Sequence, residues 1–285
     1  MSQKAIVVGA GIAGLATAVR LAAAGNSVQV FEAAEKPGGK MSVIGNALYR
    51  FDAGPSLFTL PHLVDEVFRE CGKNPRDYFN YYKKDTACHY FWEDGTTLIA
   101  HADQKAFADE VETKLKVPAK RVLNYLDKSA YIYRYTEKVF LQKSLHRLKS
   151  YLSTDTLASV IRMPNLALGA NLHSLNQRKL KNAKLVQLFD RFATYNGSDP
   201  YQTPGVMSSI PHLEHNIGTF YPQGGMHEIP QALYRLGQDL GVQYHFNSPV
   251  DEIVVENHQA KAVLVKGERH EADIIASNMD VVPTY

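Results

Sequence analysis

The chain has 285 residues, 45% of them hydrophobic and 21% charged, a composition that excludes wholesale disorder, collagen and coiled coil and allows one or two domains around a substantial core. Two cysteines, Cys71 and Cys88, are too few for a disulfide framework or a zinc ribbon, so a reducing compartment is the default reading. The net charge of +2 hides an asymmetry: Lys116–Phe192 holds 15 Lys and Arg against 4 Asp and Glu, while the remainder holds 16 against 25, which points to a face that meets something anionic.

Taken in chain order, Lys4–Val8 is a β-branched run that reads as a buried strand. Gly9-Ala10-Gly11-Ile12-Ala13-Gly14 follows, and Leu15–Ala24, rich in Ala and Leu and stopped by Gly25, predicts a helix. Ser27–Phe31 predicts a second strand, ending at Glu32. Together these make a βαβ unit of about 30 residues. Lys4 and the apolar run Ala5–Val19 imitate a signal peptide, but the glycine spacing argues for a different use. No run has the ~20 apolar residues that a membrane span needs. Residues 40–51 read as a strand or hairpin, Pro61–Cys71 as a short amphipathic helix, and Ala87–Trp92 with Thr96–Ala100 as a hairpin turned by Asp94-Gly95.

From Asp103 to Phe192 the pattern is mainly helical and basic, broken at Pro118 and Pro164, with a loop at Asn196–Gly205. His227–Leu240 then predicts a helix. Val242–Phe246, Asp251–Val255, Ala260–Lys266 and Ala272–Ser277 predict strands. Because the chain stops at Tyr285, straight after a strand with no helix to cover it, a truncated protein is expected.

The spacing Gly9-x-Gly11-x-x-Gly14 between a strand and a helix carries the chemistry. The first glycine permits a tight turn, the second lets a pyrophosphate approach the backbone, and the third lets the helix pack on the strand. The helix N-terminus offers N–H groups and a positive dipole end to the phosphates. Glu32 closes the second strand eighteen residues beyond Gly14, placed for ribose hydroxyls. Pro37-Gly38-Gly39-Lys40 could extend the wrap round a diphosphate or be an ordinary turn. NAD and FAD both remain open on these residues alone.

Val8–Leu15, Glu32 and Gly38-Gly39-Lys40 resemble the amino-terminal signature of flavin amine-oxidase-type enzymes. Phe51-Asp52-Ala53-Gly54-Pro55-Ser56, Arg191–Tyr201, Tyr221–Met226 and Ala276–Tyr285 are similar to segments of bacterial phytoene desaturases, so the resemblance runs the length of the chain. It implies FAD as the redox group. Gly9, Gly11, Gly14 and Glu32 would hold the ADP half, with Ala10, Ile12, Ala13 and Ala33 on the same path. Gly39 and Lys40 would lie near the diphosphate, Gly54 and Pro55 near the flavin, and the Val250 backbone against adenine. The family is longer and carries a carboxy-terminal glycine-rich flavin segment that this sequence does not contain.

The expected architecture is therefore α/β: a Rossmann-like FAD-binding domain of residues 1–101 and 221–285, with an inserted, largely helical substrate and membrane-facing region of residues 102–220. The expected activity is dehydrogenation of a long isoprenoid polyene, phytoene or a related carotenoid. A carotenoid isomerase, a polyene saturase and a non-catalytic fragment without flavin stay open as alternatives. Asp190, Arg191 and Tyr195 are the candidate catalytic helpers, with a helix-end ion pair as the competing reading. His212 and His215, flanking Glu214, read as a surface loop rather than a metal site. The basic block 116–192 with its interleaved tyrosines reads as a solvated helix face or as a surface for anionic lipid, with nucleic acid not expected as a partner. Residues 156–172 are either the apolar lip of a channel or core. The expected location is cytoplasmic and peripheral, at the inner face of the membrane.

Overall fold

The computed structural model describes residues 2–140 and 165–285; Pro164 and residues 156–164 of the expected apolar lip lie outside them. The chain divides into two compact units, Met1–Tyr82 with Phe220–Tyr285, and Lys83–Thr219. The sequence places the borders at 101/102 and 220/221; the first lies instead between Tyr82 and Lys83, because the hairpin before residue 102 shares its core with the helices after it.

In chain order the first unit opens with β1 (Lys4–Val8), α1 (Ile12–Ala23), β2 (Ser27–Phe31), β3 (Ser42–Gly45), β4 (Arg50–Ala53), α2 (Pro61–Glu70) and β5 (Tyr81–Lys83). The second contributes β6 (Thr86–Phe91), β7 (Thr97–His101), α3 (Gln104–Leu115), α4 (Ala119–Phe140), α5 (Leu172–Leu180) and α6 (Ala183–Asp190). The chain returns to the first with β8 (Phe220–Pro222), α7 (Glu228–Asp239), β9 (Gln243–His245), β10 (Val250–Glu256), β11 (Gln259–Val265), β12 (Glu268–Glu271), β13 (Ile274–Ser277) and a single turn, α8 (Val281–Thr284).

A four-stranded parallel sheet, ordered β13-β1-β2-β9, organises the first unit. Ala5 pairs with Val28 on one side and Ile274 on the other. Alternation along β1 serves two cores, as a pleated strand must. Ala5 and Val7 face a cluster with Leu15 and Ala18 of α1, Val30 of β2, and Ala232, Leu233 and Leu236 of α7. Ile6 and Val8 face the opposite cluster, with Phe31, Val263, Val265 and Ala272. Each large side chain fully buried there contributes roughly 1.5–3 kcal/mol.

The second face of the sheet is covered without a helix. A parallel sheet must be covered on both sides, and helices are the expected cover. The cover is the three-stranded antiparallel sheet β10-β11-β12, whose Val263 and Val265 supply the apolar side. Strands β5, β8 and β12, three or four residues long, fall outside the strands expected from the sequence. The β3–β4 hairpin stands exposed, with Ile44 67% and Leu48 83% accessible.

The second unit packs the β6–β7 hairpin on its helices: Leu98 and Ala100 join Phe107, Val111, Leu126, Leu185, Phe189 and Phe192 in one cluster. Its helices start where side chains cap them. Asp103 accepts from the Ala106 N–H, Asn171 from Ser174 and Asn182 from Leu185, each cap being worth about 1 kcal/mol. Pro118 separates α3 from α4, as the sequence indicates. The segments Arg191–Asn196 and Gly205–Ser209 are tight 3-10 turns, and Leu213–Ile217 is a wide π turn.

Candidate functional site

The glycine turn lies at the carboxy end of β1, where the strand feeds α1. Gly9 has φ +92°, a conformation open to glycine and costly for other residues. A Cβ on Gly14 would overlap the Gly9 carbonyl oxygen, so the helix packs on its strand only because that position is bare. A Cβ on Gly11 would come within 2.6 Å of Asn278 Nδ2. Gly11 is the N-cap of α1, no side chain caps the helix, and no acid sits in its first turn. The amino end of the helix dipole is therefore met, among the described residues, by neither a capping side chain nor a first-turn acid.

Glu32 is fixed at the rim of this turn. One carboxylate oxygen accepts from the Ala10 N–H at 2.6 Å and the other from the Ala34 N–H at 2.8 Å. Each oxygen keeps a further lone pair, so the carboxylate can still accept from hydroxyls. The Ser248 N–H donates to the Glu32 carbonyl at 2.8 Å and the Asn247 N–H to that of Ala34 at 3.0 Å. This runs the chain past Glu32 toward Val250 at the start of β10. Ala33 is exposed beside it.

The tertiary structure gathers four of the separated sequence motifs here. The Gly38 N–H donates to the Ala10 carbonyl at 2.9 Å, and a Cβ on Gly39 would meet Gly11 Cα at 3.2 Å. Lys40 is exposed next in the chain, and its carbonyl would overlap any side chain at Gly54, where φ is +103°. Gly54 and Pro55 are exposed just after β4. Asp52, in β4, accepts from the Tyr221 hydroxyl at 2.8 Å and the Met226 N–H at 3.0 Å. Burial works against its charge, but those two bonds and Arg50 outweigh it and lower its pKa. His227 Nε2 lies 3.0 Å from the Pro37 carbonyl. Asn278, held by its N–H on the Val8 carbonyl at 2.8 Å, presents its amide to the turn from the fourth motif.

Sequence reasoning missed Asn278, Asp52 and His227 as individuals. Each lies inside or next to a quoted motif, but a polar residue beside a glycine pair carries no pattern of its own. The geometry fits a nucleotide diphosphate: a bare backbone turn, an uncapped helix start, an amide beside it, and an acid held for hydroxyls at the rim.

The three catalytic candidates lie in the second unit and belong to two separate networks. Asp190 pairs with His173 Nδ1 at 2.6 Å and accepts from Asn176 Nδ2 at 2.8 Å, while the Tyr125 hydroxyl donates to Asn176 Oδ1 at 2.6 Å. Arg191 donates through Nη2 to Glu214 at 2.6 Å and through Nε to the Tyr90 hydroxyl at 3.0 Å; the Tyr195 hydroxyl donates to the other Glu214 oxygen at 2.7 Å. Arg191 is thus paired with Glu214 and not with Asp190. Burial opposes the Arg191 charge, but the Glu214 bond and charge outweigh it and raise its pKa. Burial, then Glu214, raises that of Tyr195.

The surface-loop reading of His212–His215 is overturned. Glu214 and His215 are each 1% exposed, in the π turn. His215 stacks on Phe107 with centroids 4.5 Å apart, and burial lowers its pKa to about 4. The sequence hid this because one wide turn of helix carries no period. Among the described residues no group of His, Cys, Asp or Glu is placed to hold a metal, and no helix is long and apolar enough to cross a membrane.

A family model described as flavin containing amine oxidoreductase matches residues 12–283. The chain is 48% identical over 283 residues to a 1-hydroxycarotenoid 3,4-desaturase of Flavobacterium sp. (strain P99-3), covering 99% of this chain and 58% of that protein. It is 33% identical over 287 residues to a 4,4'-diapolycopene oxygenase of Methylomonas sp., covering 99% and 56%. The crystal structure of an oxidoreductase from Methanosarcina mazei superposes with a TM-score of 0.65 at 19% identity, over 99% of this chain and 60% of that one; it shows a shared fold. The chain thus spans a little over half the length of the curated relatives it matches.

Proposed function

The chain belongs to the family of flavin-containing amine oxidoreductases, whose redox group is FAD, and on that premise we propose that the protein containing it is a carotenoid desaturase. The observation that carries the reading is the glycine turn with its fixed Glu32, seated in a chain 48% identical to a 1-hydroxycarotenoid 3,4-desaturase. A hydroxylated carotenoid is therefore proposed as the substrate, in place of phytoene itself.

When bound, FAD supplies the acceptor for the hydride that leaves the polyene. The residues of this chain bind and orient. The N–H groups at the start of α1 would face the diphosphate, with Gly39 and Lys40 beside them. Glu32 would receive the ribose hydroxyls, the backbone at Val250 would meet the adenine, and Gly54 and Pro55 would lie near the flavin. Gly9, Gly11 and Gly14, with Ala10, Ile12 and Ala13 between them, keep the turn close enough for that approach. A polyene has no charged handle, so its binding rests on apolar burial, about 25 cal/mol per Å². Asp190, Arg191 and Tyr195 are proposed as positioning residues that hold the helical unit in shape through His173 and Glu214.

The basic block is proposed as the face that rests on anionic lipid at the inner side of the membrane, where a lipid-dissolved substrate is met. A second reading, oxygenation, is favoured by the relatives named as oxygenases. Incubating the whole FAD-loaded protein with a 1-hydroxycarotenoid and weighing the pigment by mass spectrometry separates the readings. Loss of two hydrogens supports desaturation, and gain of oxygen supports the second reading. Gain of two hydrogens or an unchanged mass defeats both.

A further inference from the structure

The second unit contains a cavity of about 650 Å³ between α4 and α5. Four of its lining side chains are cationic: Lys120, Arg121 and Lys128 from α4, and Lys179 from α5. No carboxylate among the described residues lines it. Arg121 has one arm on the Leu180 carbonyl at 3.3 Å, and among the described residues Lys120, Lys128 and Lys179 make no ion pair. Lys128 and Lys179 are near enough that burial and then the Lys179 charge lower the pKa of Lys128, and the Lys128 ammonium stands 4.4 Å from the Tyr131 ring centroid.

A second feature is independent of charge. Ser208 also lines the cavity, is 3% exposed, and among the described residues its hydroxyl has no hydrogen-bond partner. A buried hydroxyl left unmatched costs about 1–3 kcal/mol, which a bound acceptor would relieve. The floor is apolar: Tyr125 spends its hydroxyl on Asn176 and turns its ring to the cavity beside Ile132.

We propose that this cavity binds a phosphate-bearing anion, its oxygens accepting from Lys128, Lys179, Arg121 and the Ser208 hydroxyl. Converging ammonium and guanidinium groups, a hydroxyl donor and the lack of a lining carboxylate match the needs of a phosphate ester. The apolar floor matches whatever adjoins the phosphate. The phosphate belongs to a lipid headgroup or to a soluble phosphate. The proposal turns the diffuse positive face of the membrane reading into a defined pocket, and rests on that reading only for the choice of source.

The test uses the whole FAD-loaded protein. Vesicles of phosphatidylcholine with and without phosphatidylglycerol are floated with it, and inorganic phosphate and glycerol 3-phosphate are bound by equilibrium dialysis. Lys128→Gln with Lys179→Gln should weaken binding about tenfold or more. Ser208→Ala should weaken it severalfold, and Lys261→Gln with Lys266→Gln in the other unit should leave it unchanged. An unaltered far-ultraviolet circular dichroism spectrum and thermal melt verify that each variant folds. Vesicle binding that glycerol 3-phosphate displaces supports the site with a headgroup as source. Phosphate binding without vesicle binding supports the site and defeats the membrane reading. Vesicle binding that persists in both the lysine and Ser208 variants overturns the site and leaves the membrane reading standing. Failure of every probe to bind overturns the site.

Discussion

Replacing Gly14 by alanine sets two effects against each other, and the structure decides the sign. Gly14 is a helical residue of α1 without a positive φ, so alanine should gain about 1 kcal/mol of helix propensity. Its Cβ, however, would lie within the 3.0 Å that real Cβ atoms keep from the Gly9 carbonyl oxygen, and 3.1 Å from Asn278 Cβ. The first obstacle is backbone of the turn that directly follows β1, so the helix itself must back away. Overpacking of this kind costs about 1–3 kcal/mol, and against backbone the upper end applies, leaving a net loss of roughly 2 kcal/mol after the propensity gain. In a unit this size that lowers the melting temperature by about 4–8 °C. FAD affinity should fall further, since the N–H groups at the helix start leave the turn.

Gly11→Ala is the companion. Its obstacle is a side-chain amide at 2.6 Å, so Asn278→Ala in the same chain should recover most of the lost stability. Thermal melts and flavin retention after gel filtration measure both. A Gly14→Ala protein that melts at or above the parent temperature with full flavin would refute the idea that close helix–strand approach is what this glycine supplies.

Other outcomes follow from single contacts. Glu32→Ala removes the acceptor that holds the Ala10 and Ala34 N–H groups; the protein should still fold and should bind FAD at least about tenfold more weakly, read by fluorescence titration. Glu214→Gln leaves the Arg191 guanidinium, 26% exposed, facing a neutral amide. Removing one partner of a buried pair costs about 3–5 kcal/mol, and partial exposure places this at the lower end. Adding Arg191→Met should cost less than the two single changes summed, and additivity in denaturant melts would contradict the pairing.

His215 gives a pH dependence. Phe107, Phe189 and Phe192 surround its ring, with Glu214 and Arg191 the charges that act on it, and burial takes its pKa from 6.5 to about 4. A histidine depressed by folding binds its proton more readily when unfolded. The stability it allows is complete above the unfolded value of 6.5, falls as pH drops from 6.5 toward 4, and levels below that. The full span is about 3 kcal/mol. In His215→Phe this component of the slope should vanish in melts taken across that range; an unchanged slope would show that the ring is already hydrated.

Much of the first unit was legible because its signals are local. The β1–α1–β2 reading, the glycine spacing, the acid at the end of β2 and the strands after Gly241 depend on period, turn residues and short loops, all of which sequence records directly. The division of the hairpin 86–101 was not legible, since Leu98 and Ala100 look alike whichever core they enter. Nor was the role of Asn278, whose approach to Gly11 spans the whole chain.

What the sequence determined by itself is the glycine turn. Gly9 takes a positive φ and Gly14 lets the helix approach bare backbone, so at those positions the residue type states the geometry. What only the tertiary structure decided is where charged side chains find partners. Arg191 meets Glu214 and not its neighbour Asp190, and His215 leaves water for an aromatic stack. Lys128 and Lys179, fifty-one positions apart, come to share one cavity. Such pairings depend on how helices pack across long separations, and the free energy of desolvation that sets them is absent from any local pattern.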